Sequence, residues 1–394
     1  MTGRLVGVDL ARTLALLGMF AAHLVTQEGD GPGGVSSLFQ LVAGRSSALF
    51  AVLAGVSIAL VAPLPAVRAD PGGHRRRLLL RATLIAGLGL VLGLLDSGLA
   101  VILTHYGVLF CCALPVLAWR ARSLAWLALA WGLLSPLASL ALRTVLPEPT
   151  LAVPSVAGLL LAPVDLVTEL LVTGYYPVLT WATYLFTGLA IGRLLQRTGP
   201  RPRVTRALVL GGGWLAILAL AISRLITRSE QRRATLLESA GLGGTEWSAL
   251  DQELRGGFYG THPEGSAWWL GVWAPHSGSI VDLAHTTGSA LLILGACLVL
   301  TRSTSSLPWA IMSGAGRATL TLYTAHVVLL ATPLGDVGPW ARDTRSGLLL
   351  HGAVALLAGA ALVALHRRGP LEAAVRAAVT TIPVTPPPGR APAP

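Results

Sequence analysis

Apolar residues fall in runs of about twenty along most of this chain, the length needed to cross a bilayer as a helix. Short polar clusters separate the runs. They predict membrane-crossing helices over residues 5–25, 38–62, 77–95, 98–119, 123–143, 174–196, 205–227, 280–301, 307–332 and 346–366. The stretch LAVPSVAGLLLAPVDLVTELLV, residues 151–172, is apolar enough to compete for an eleventh. Its Pro154, Pro163, Asp165 and Glu169 instead favour an amphipathic or re-entrant piece on the outer side. The expected fold class is an all-α polytopic integral membrane protein of about ten, at most eleven, transmembrane helices. Residues 5–25 start close enough to the N-terminus to be weighed as a signal peptide. No small-residue cleavage site follows them and a second run does, so they read as a retained first helix.

Composition agrees with the pattern. Of 394 residues, 53% are hydrophobic and 12% charged, about half the charge of a soluble domain. The net charge of +11 comes from 29 basic residues, all of them arginine. In a soluble protein that would suggest nucleic acid. Here the arginines gather in alternate loops (GGHRRR after the second run, Arg120 and Arg122, RTGPRPRVTR after the sixth), so a positive-inside arrangement accounts for them. Ten helices with both termini cytoplasmic satisfy the alternation, in a bacterial plasma membrane, with the lipid bilayer as partner and no nucleic acid. Cys111, Cys112 and Cys297 all lie in predicted spans and form no disulfide framework.

The expected layout is one membrane domain over 1–368, an extracytoplasmic loop or cap over 228–279, and a disordered cytoplasmic tail over 369–394, rich in Pro and Ala. The loop contains FYGTHPEGSAWWLGVWAPHSGS. A Trp-rich stretch beside a membrane reads first as an interfacial belt, with a substrate-binding cap as the alternative.

Ionisable residues inside apolar runs are costly and default to functional hypotheses. The first run, GVDLARTLALLGMFAAHLV, holds Asp9, Arg12 and His23. Asp9 and Arg12 are three residues apart and can pair on one helix face. Arg12 and His23 are eleven apart, or about 20° past three full turns, so they share a face at depths about 16 Å apart. A helix-locking ion pair and an interfacial histidine are the plain structural readings. The second run, GRSSALFAVLAGVSIAL, places Arg45 and Ser46 at the depth of His23, and its Gly55 allows close backbone packing. Further on come His105 and Tyr106, then Tyr175, Tyr176 and Trp181, then His276, Asp282 and His285, then Arg317, Tyr323 and His326. Each alone is most simply a satisfied polar group. Polar residues from five separate runs make a structural role for all of them less natural. His23, His105, His285 and His326 lie on separate runs, so no two of them share the i, i+3 or i, i+4 spacing of a metal site, and no metal is expected. No P-loop, dinucleotide-binding or HExxH pattern occurs.

VDLARTLALLGMFAAH resembles the first-helix motif of membrane-bound acyltransferase family 3, an arginine and a histidine with ten residues between them. GRSSALFAVLAGVSIAL, LTHYGVLF, TGYYPVLTWATYLFTGLAIGRL and PHSGSIVDLAHTTGSALLILG look like bacterial YeiB-like proteins, related to heparan-alpha-glucosaminide N-acetyltransferase. The likeness spans most of 4–366. It implies a transmembrane acyltransferase fold, with acetyl-CoA (or another acyl-CoA) as cytoplasmic co-substrate. The acceptor would be an amine or hydroxyl of a sugar-like, glycan or cell-envelope molecule on the far side. The family-3 pattern maps onto Arg12 and His23. In the heparan-alpha-glucosaminide branch the histidine falls in the loop between the first two helices, where VTQEGDGPGGVSSLFQ has none, so His23 is assigned from family 3.

On this reading His23 is general base or acyl acceptor, and Arg45 and Ser46 polarise the thioester. Asp9, Arg12, Tyr106, Arg317 and Tyr323 hold the coenzyme, and Tyr175, Trp181, His276, Asp282, His285 and His326 face the acceptor. A homodimer is left open. The competing class is a transporter of a small anionic or sugar-like solute, for which buried Arg, His and Asp also serve. An internal repeat of the kind many carriers show is not visible. A scaffold without chemistry fits poorly with so many buried polar groups.

Overall fold

The computed structural model describes residues 5–25, 28–29, 35–243, 247–302, 307–337, 340–342 and 345–385. They form helices throughout, with an isolated bridge between Glu28 and Val35 as the one sheet-like pairing among the described residues. In chain order the helices are α1 (Val6–Leu24), α2 (Ser37–Val42), α3 (Arg45–Val61), α4 (Leu64–Ala69), α5 (Pro71–Leu92), α6 (Leu103–Ala113), α7 (Ala121–Arg143), α8 (Val156–Leu161) and α9 (Pro163–Thr168). There follow α10 (Val178–Thr198), α11 (Pro202–Thr227), α12 (Glu230–Ser239), α13 (Trp247–Gly256), α14 (Ile280–Leu300), α15 (Leu307–Ala315), α16 (Thr319–Leu330), α17 (Arg345–Ala364) and α18 (Pro370–Thr380).

Each predicted span contains helix, but among the described residues seven helical stretches are long and apolar enough to cross a membrane: α1, α2–α3 together, α7, α10, α11, α14 and α17. The other three expected spans differ for identifiable reasons. α5 begins inside the arginine cluster, so much of its first half is polar. α6 is only 11 residues long and continues as a turn. The span expected over 307–332 is broken into α15 and α16 by a turn around Arg317. Residues 151–172 hold no continuous helix. They form α8, α9 and a π-helical turn at Glu169–Thr173, with a proline starting α9.

Burial divides the bundle into two shells. α1, α3 and α10 are mostly enclosed by protein, whereas α7, α11 and α17 leave most of their apolar surface outward. Trp214, Ile217 and Leu218 on α11 and Trp126, Leu129 and Leu133 on α7 are exposed, as expected of lipid-facing helices.

Glycine sets the approach distances. A Cβ at Gly188 of α10 would lie 2.0 Å from the Val52 carbonyl oxygen of α3, and one at Gly55 would lie 2.3 Å from that of Leu185. Gly212 and Gly288 bring α11 and α14 together in the same way, and Gly314 and Gly359 do so for α15 and α17. The close packing expected at Gly55 is therefore present. Helices in lipid gain nothing hydrophobic by associating, so close backbone contact and internal hydrogen bonds must hold them. Arg193 of α10 supplies such bonds: Nη1 donates to the Ala62 carbonyl (2.6 Å) and Nη2 to that of Leu117 (2.6 Å). It thus satisfies carbonyls left open where α3 ends and beyond α6, where a cation also meets the negative helix end.

Residues 228–279 form a small unit of their own. Leu236, Leu237, Leu250, Trp269 and Val272 make its core, and Arg233 pairs with Asp251 at 3.0 Å. Trp269 at least is not part of the interfacial belt expected here. Trp269 is buried and donates to Ser239 Oγ at 2.8 Å, while Trp268 lies under the Arg232 guanidinium. The tail expected to be disordered from residue 369 instead opens with α18. Its Glu372 accepts from the amides of Leu320 (2.7 Å) and Thr321 (3.3 Å) at the start of α16.

Gly188→Leu is expected to lower stability by at least the 1–3 kcal/mol typical of overpacking. Gly211→Leu, where nothing lies within 4 Å of the added Cβ, should leave it unchanged. Thermal unfolding of the two variants in detergent compares them, and equal melting temperatures would contradict the α3–α10 contact.

Candidate functional site

α1 and α3 run antiparallel, which fixes the depth of their polar residues. Near the start of α1, Arg12 Nη1 meets Asp9 Oδ1 at 2.8 Å and Nη2 donates to Ser57 Oγ of α3. Half-way up, Gly18 lies against Ser46. His23 closes the upper end.

The lower end gathers cations. The Asp9–Arg12 pair predicted from their spacing forms, with Asp9 buried. Arg81 of α5 lies within electrostatic range of Arg12 and Glu372, and its Nε has no partner among the described residues. Arg317 sits in the turn between α15 and α16, where its amide donates to the Gly314 carbonyl at 3.0 Å. Arg12, Arg81, Arg317 and the Glu372 carboxylate therefore belong to one end of the bundle. Sequence reasoning missed Arg81, although it stands four residues inside the third apolar run.

At the upper end His23 Nδ1 lies 3.1 Å from His326 Nε2 of α16, and His326 Nδ1 lies 2.8 Å from His351 Nδ1 of α17. Three helices thus contribute one hydrogen-bonded chain of imidazoles. Phe20 stacks on His326 at 4.2 Å and Trp340 meets His351 edge-on at 5.7 Å. His326 and His351 are buried; His23 is partly exposed. His351 was not among the sequence candidates, yet as an ionisable residue in an apolar run it carried the same signal as His326.

A second upper cluster surrounds Arg45. Its Nε donates to His285 Nε2 at 2.9 Å, its Nη1 to the carbonyls of Gln40 and Leu41, and its guanidinium lies 4.8 Å from the Trp273 ring. Because Nε2 accepts, His285 carries its proton on Nδ1 and donates it to the Ala216 carbonyl at 3.1 Å. His276, in a left-handed conformation at φ 57°, accepts from the Gly44 amide at 3.2 Å and stacks with Trp181. Such a conformation is uncommon for a residue with a Cβ. Asp282 Oδ2 accepts from the Gly278 amide at 3.1 Å, and Ser277 also acts on the carboxylate. His276 and Arg342 lie within electrostatic range of His23, which links the clusters.

The predicted residues therefore divide. His23 and His326 come together, as do Arg45, His285, His276, Trp181 and Asp282. Arg45 spends its hydrogen bonds on His285 and the α2 carbonyls, and Ser46 faces Gly18, so the expected grouping of His23 with Arg45 and Ser46 is replaced by a histidine chain. Tyr106 donates to the Ser47 carbonyl at 3.2 Å, and Tyr323 accepts from the Ile102 amide at 3.3 Å. Both hydroxyls sit at the Arg45 level, away from the arginines of the lower end. Tyr175 contacts Tyr259 edge-on at 5.3 Å. Tyr259 in turn borders a cleft of about 350 Å³, lined also by Arg143, Glu148, His262 and Glu264. Among the described residues no group of three or more His, Cys, Asp or Glu is placed to hold a metal ion.

The family model for heparan-alpha-glucosaminide N-acetyltransferase, catalytic, matches residues 4–222. That is more than half of the 394 residues. It covers α1 and α3, with Asp9, Arg12, His23 and Arg45, but stops before α14, α16 and α17. Among curated proteins no match is found.

Burial of His262 and of His276 in the loops above the helices pushes each ring down to about 4. The unfolded chain protonates these rings near 6.5 and the folded chain only near 4. Stability should therefore fall as pH drops from about 6.5 to 4, by roughly 3 kcal/mol for the buried His262 alone. Melting temperatures of wild type and His262→Gln across that range measure it; the variant should show the shallower slope.

Proposed function

Since the chain belongs to the heparan-alpha-glucosaminide N-acetyltransferase family, we propose that it is a membrane acyltransferase. In this reading it takes an acetyl group from cytoplasmic acetyl-CoA and delivers it to an amine or hydroxyl of a sugar-like or cell-envelope acceptor on the far side. The observation that carries it is the layout of α1. An arginine cluster lies at one end and a partly exposed histidine, backed by His326, at the other, about 16 Å apart by helical rise.

The two ends suit the two halves of the reaction. Coenzyme A carries phosphates on a long pantetheine arm, and guanidinium groups bind phosphate through charge-assisted, often bidentate hydrogen bonds. Arg12, Arg81 and Arg317 are assigned that role. The arm would then run along α1 past Gly18 and bring the thioester to the level of His23. There the His23 ring takes the proton of the acceptor as its nitrogen or oxygen attacks the thioester carbonyl. The C–S bond breaks, and the coenzyme leaves as the thiolate. Donors near the carbonyl oxygen lower the barrier further, and the Arg45–His285–His276 cluster lies on the same level. The acceptor is assigned to the outer side. The cleft beside Tyr259 offers an aromatic face, carboxylates and Arg143, all suited to a polyhydroxylated ring. From Tyr259 the aromatic contacts continue through Tyr175 and Tyr176 to His276.

The test uses purified protein, radiolabelled acetyl-CoA and a panel of amino sugars. His23→Ala should lower kcat by about 100- to 10,000-fold, the range for loss of a general base. Arg12→Gln should raise the KM for acetyl-CoA by roughly 10-fold or more, the equivalent of one charge-assisted hydrogen bond. Labelling that persists in His23→Ala, or solute uptake by proteoliposomes with no acetyl transfer, would overturn the proposal.

A further inference from the structure

The proposed reaction uses only His23, yet two further buried histidines extend from it in an unbroken chain. We propose that His326 and His351 are a proton relay for His23, so that the base accepts a proton without becoming an imidazolium. This inference rests on His23 acting as the base, as proposed above.

Each neutral imidazole has one N–H and one bare nitrogen. The two contacts, Nδ1 to Nε2 at 3.1 Å and Nδ1 to Nδ1 at 2.8 Å, each hold one proton. Three neutral rings can satisfy both contacts in two ways. In one, His23 donates to His326, His326 donates to His351, and the free ends are a bare His23 Nε2 and a His351 Nε2–H. In the other every proton sits on the opposite side of its contact, and the free ends are exchanged. Moving from the first state to the second takes a proton in at His23 Nε2 and releases one from His351 Nε2. No ring carries a net charge in either state.

Three observations favour this use over a packing role. His326 spends both ring nitrogens on other histidines and neither on a backbone carbonyl. His351 Nε2, the far end of the chain, is buried and has no side-chain partner among the described residues, with the Trp340 backbone close enough to act on the ring. Arg342 lies within electrostatic range of both His23 and His326 and, like His276 beside them, offers no negative charge. An imidazolium would form there at a cost of several kcal/mol without a counter-ion, and the neutral relay avoids that cost.

The proton balance closes over one turnover. As the acceptor nitrogen or oxygen bonds to the acetyl carbon, its proton goes to His23 Nε2 and the His351 Nε2 proton passes to water, which must enter past Trp340 because that nitrogen is buried. The departing thiolate then takes the proton from His23 Nε2. The chain returns to its first state when water protonates His351 Nε2. The sum is acceptor plus acetyl-CoA giving acetylated acceptor plus the free thiol. In this scheme His326 and His351 act through His23 and touch no substrate.

The test uses full-length protein in nanodiscs with acetyl-CoA and glucosamine, in mixtures of light and heavy water. Several protons moving in one step make the wild-type rate a bowed function of deuterium fraction. His326→Gln and His351→Gln retain a hydrogen-bonding group but cannot exchange tautomers. Each should lower kcat by about 10- to 100-fold, leave the KM for acetyl-CoA unchanged and straighten that curve. A linear wild-type curve, or wild-type kcat in both glutamine variants, overturns the relay. If His23→Gln is then inactive, the base assignment survives; full activity in His23→Gln overturns both. A readout without turnover is the nitrogen-15 spectrum of histidine-labelled protein. Wild type should show a neutral His326 with both nitrogens hydrogen-bonded, and His326→Gln should shift the His23 Nδ1 signal. An unmoved His23 signal overturns the chain.

Discussion

A guanidinium or carboxylate within a hydrocarbon layer must find its hydrogen bonds inside the protein, and the bundle is arranged around that constraint. An unpaired charge there costs several kcal/mol, more than a typical net hydrogen bond of about 1 kcal/mol returns. Partners must therefore be plural and close. Arg12 has Asp9 and Ser57, Arg193 has carbonyls beyond two helices, and Arg45 has His285, the α2 carbonyls and Trp273. The glycine contacts make such partners reachable. With any side chain at Gly55 or Gly188 the helices would stand further apart, and Arg193 could not span from α10 to the end of α3.

This dependence explains what the sequence made legible. Helix positions followed from apolar runs, the Asp9–Arg12 pair from a three-residue spacing, and the α3–α10 approach from Gly55, because each is a local property of one segment. The partners of Arg45 and His23 lie 240 and 303 residues away along the chain, and no periodicity encodes such a pairing. The α15–α16 break was hidden for another reason. Apolar residues flank the turn on both sides, and it sets Gly316 against the Asp9 carbonyl of α1. Hydropathy cannot register a tertiary contact of that kind. The burial of Trp269 was not legible because an apolar side chain beside a membrane looks alike whether it meets lipid or closes a small core.

The division of the upper end into two clusters bears on how the family match should be understood. The matched part of the chain holds the arginine end of α1, His23 and Arg45, but the groups that complete them come from α14, α16 and α17. Arg45 without His285 would be a buried cation held chiefly by carbonyls, and His23 without His326 would be a histidine at a helix end. The two clusters therefore depend on both parts of the chain, and the second part supplies His285, His326 and His351.

The lower end also sets the geometry of the upper one. α16 is a straight helix of 12 residues, about 18 Å long, with Glu372 of α18 capping its first amides and His326 near its other end. A carboxylate at a helix N-terminus is stabilised by the helix dipole, so α18 fixes where α16 begins. Arg342 fixes where it ends, donating to the Leu330 carbonyl at 2.9 Å. With both termini tied, the rotation of α16 about its axis is determined, and so is the face on which His326 stands. The break at α15 matters for the same reason. A continuous helix through 307–330 would inherit its phase from the contact of Gly314 with α17. The turn at Arg317 uncouples the two, letting α15 pack on α17 while α16 turns His326 toward α1.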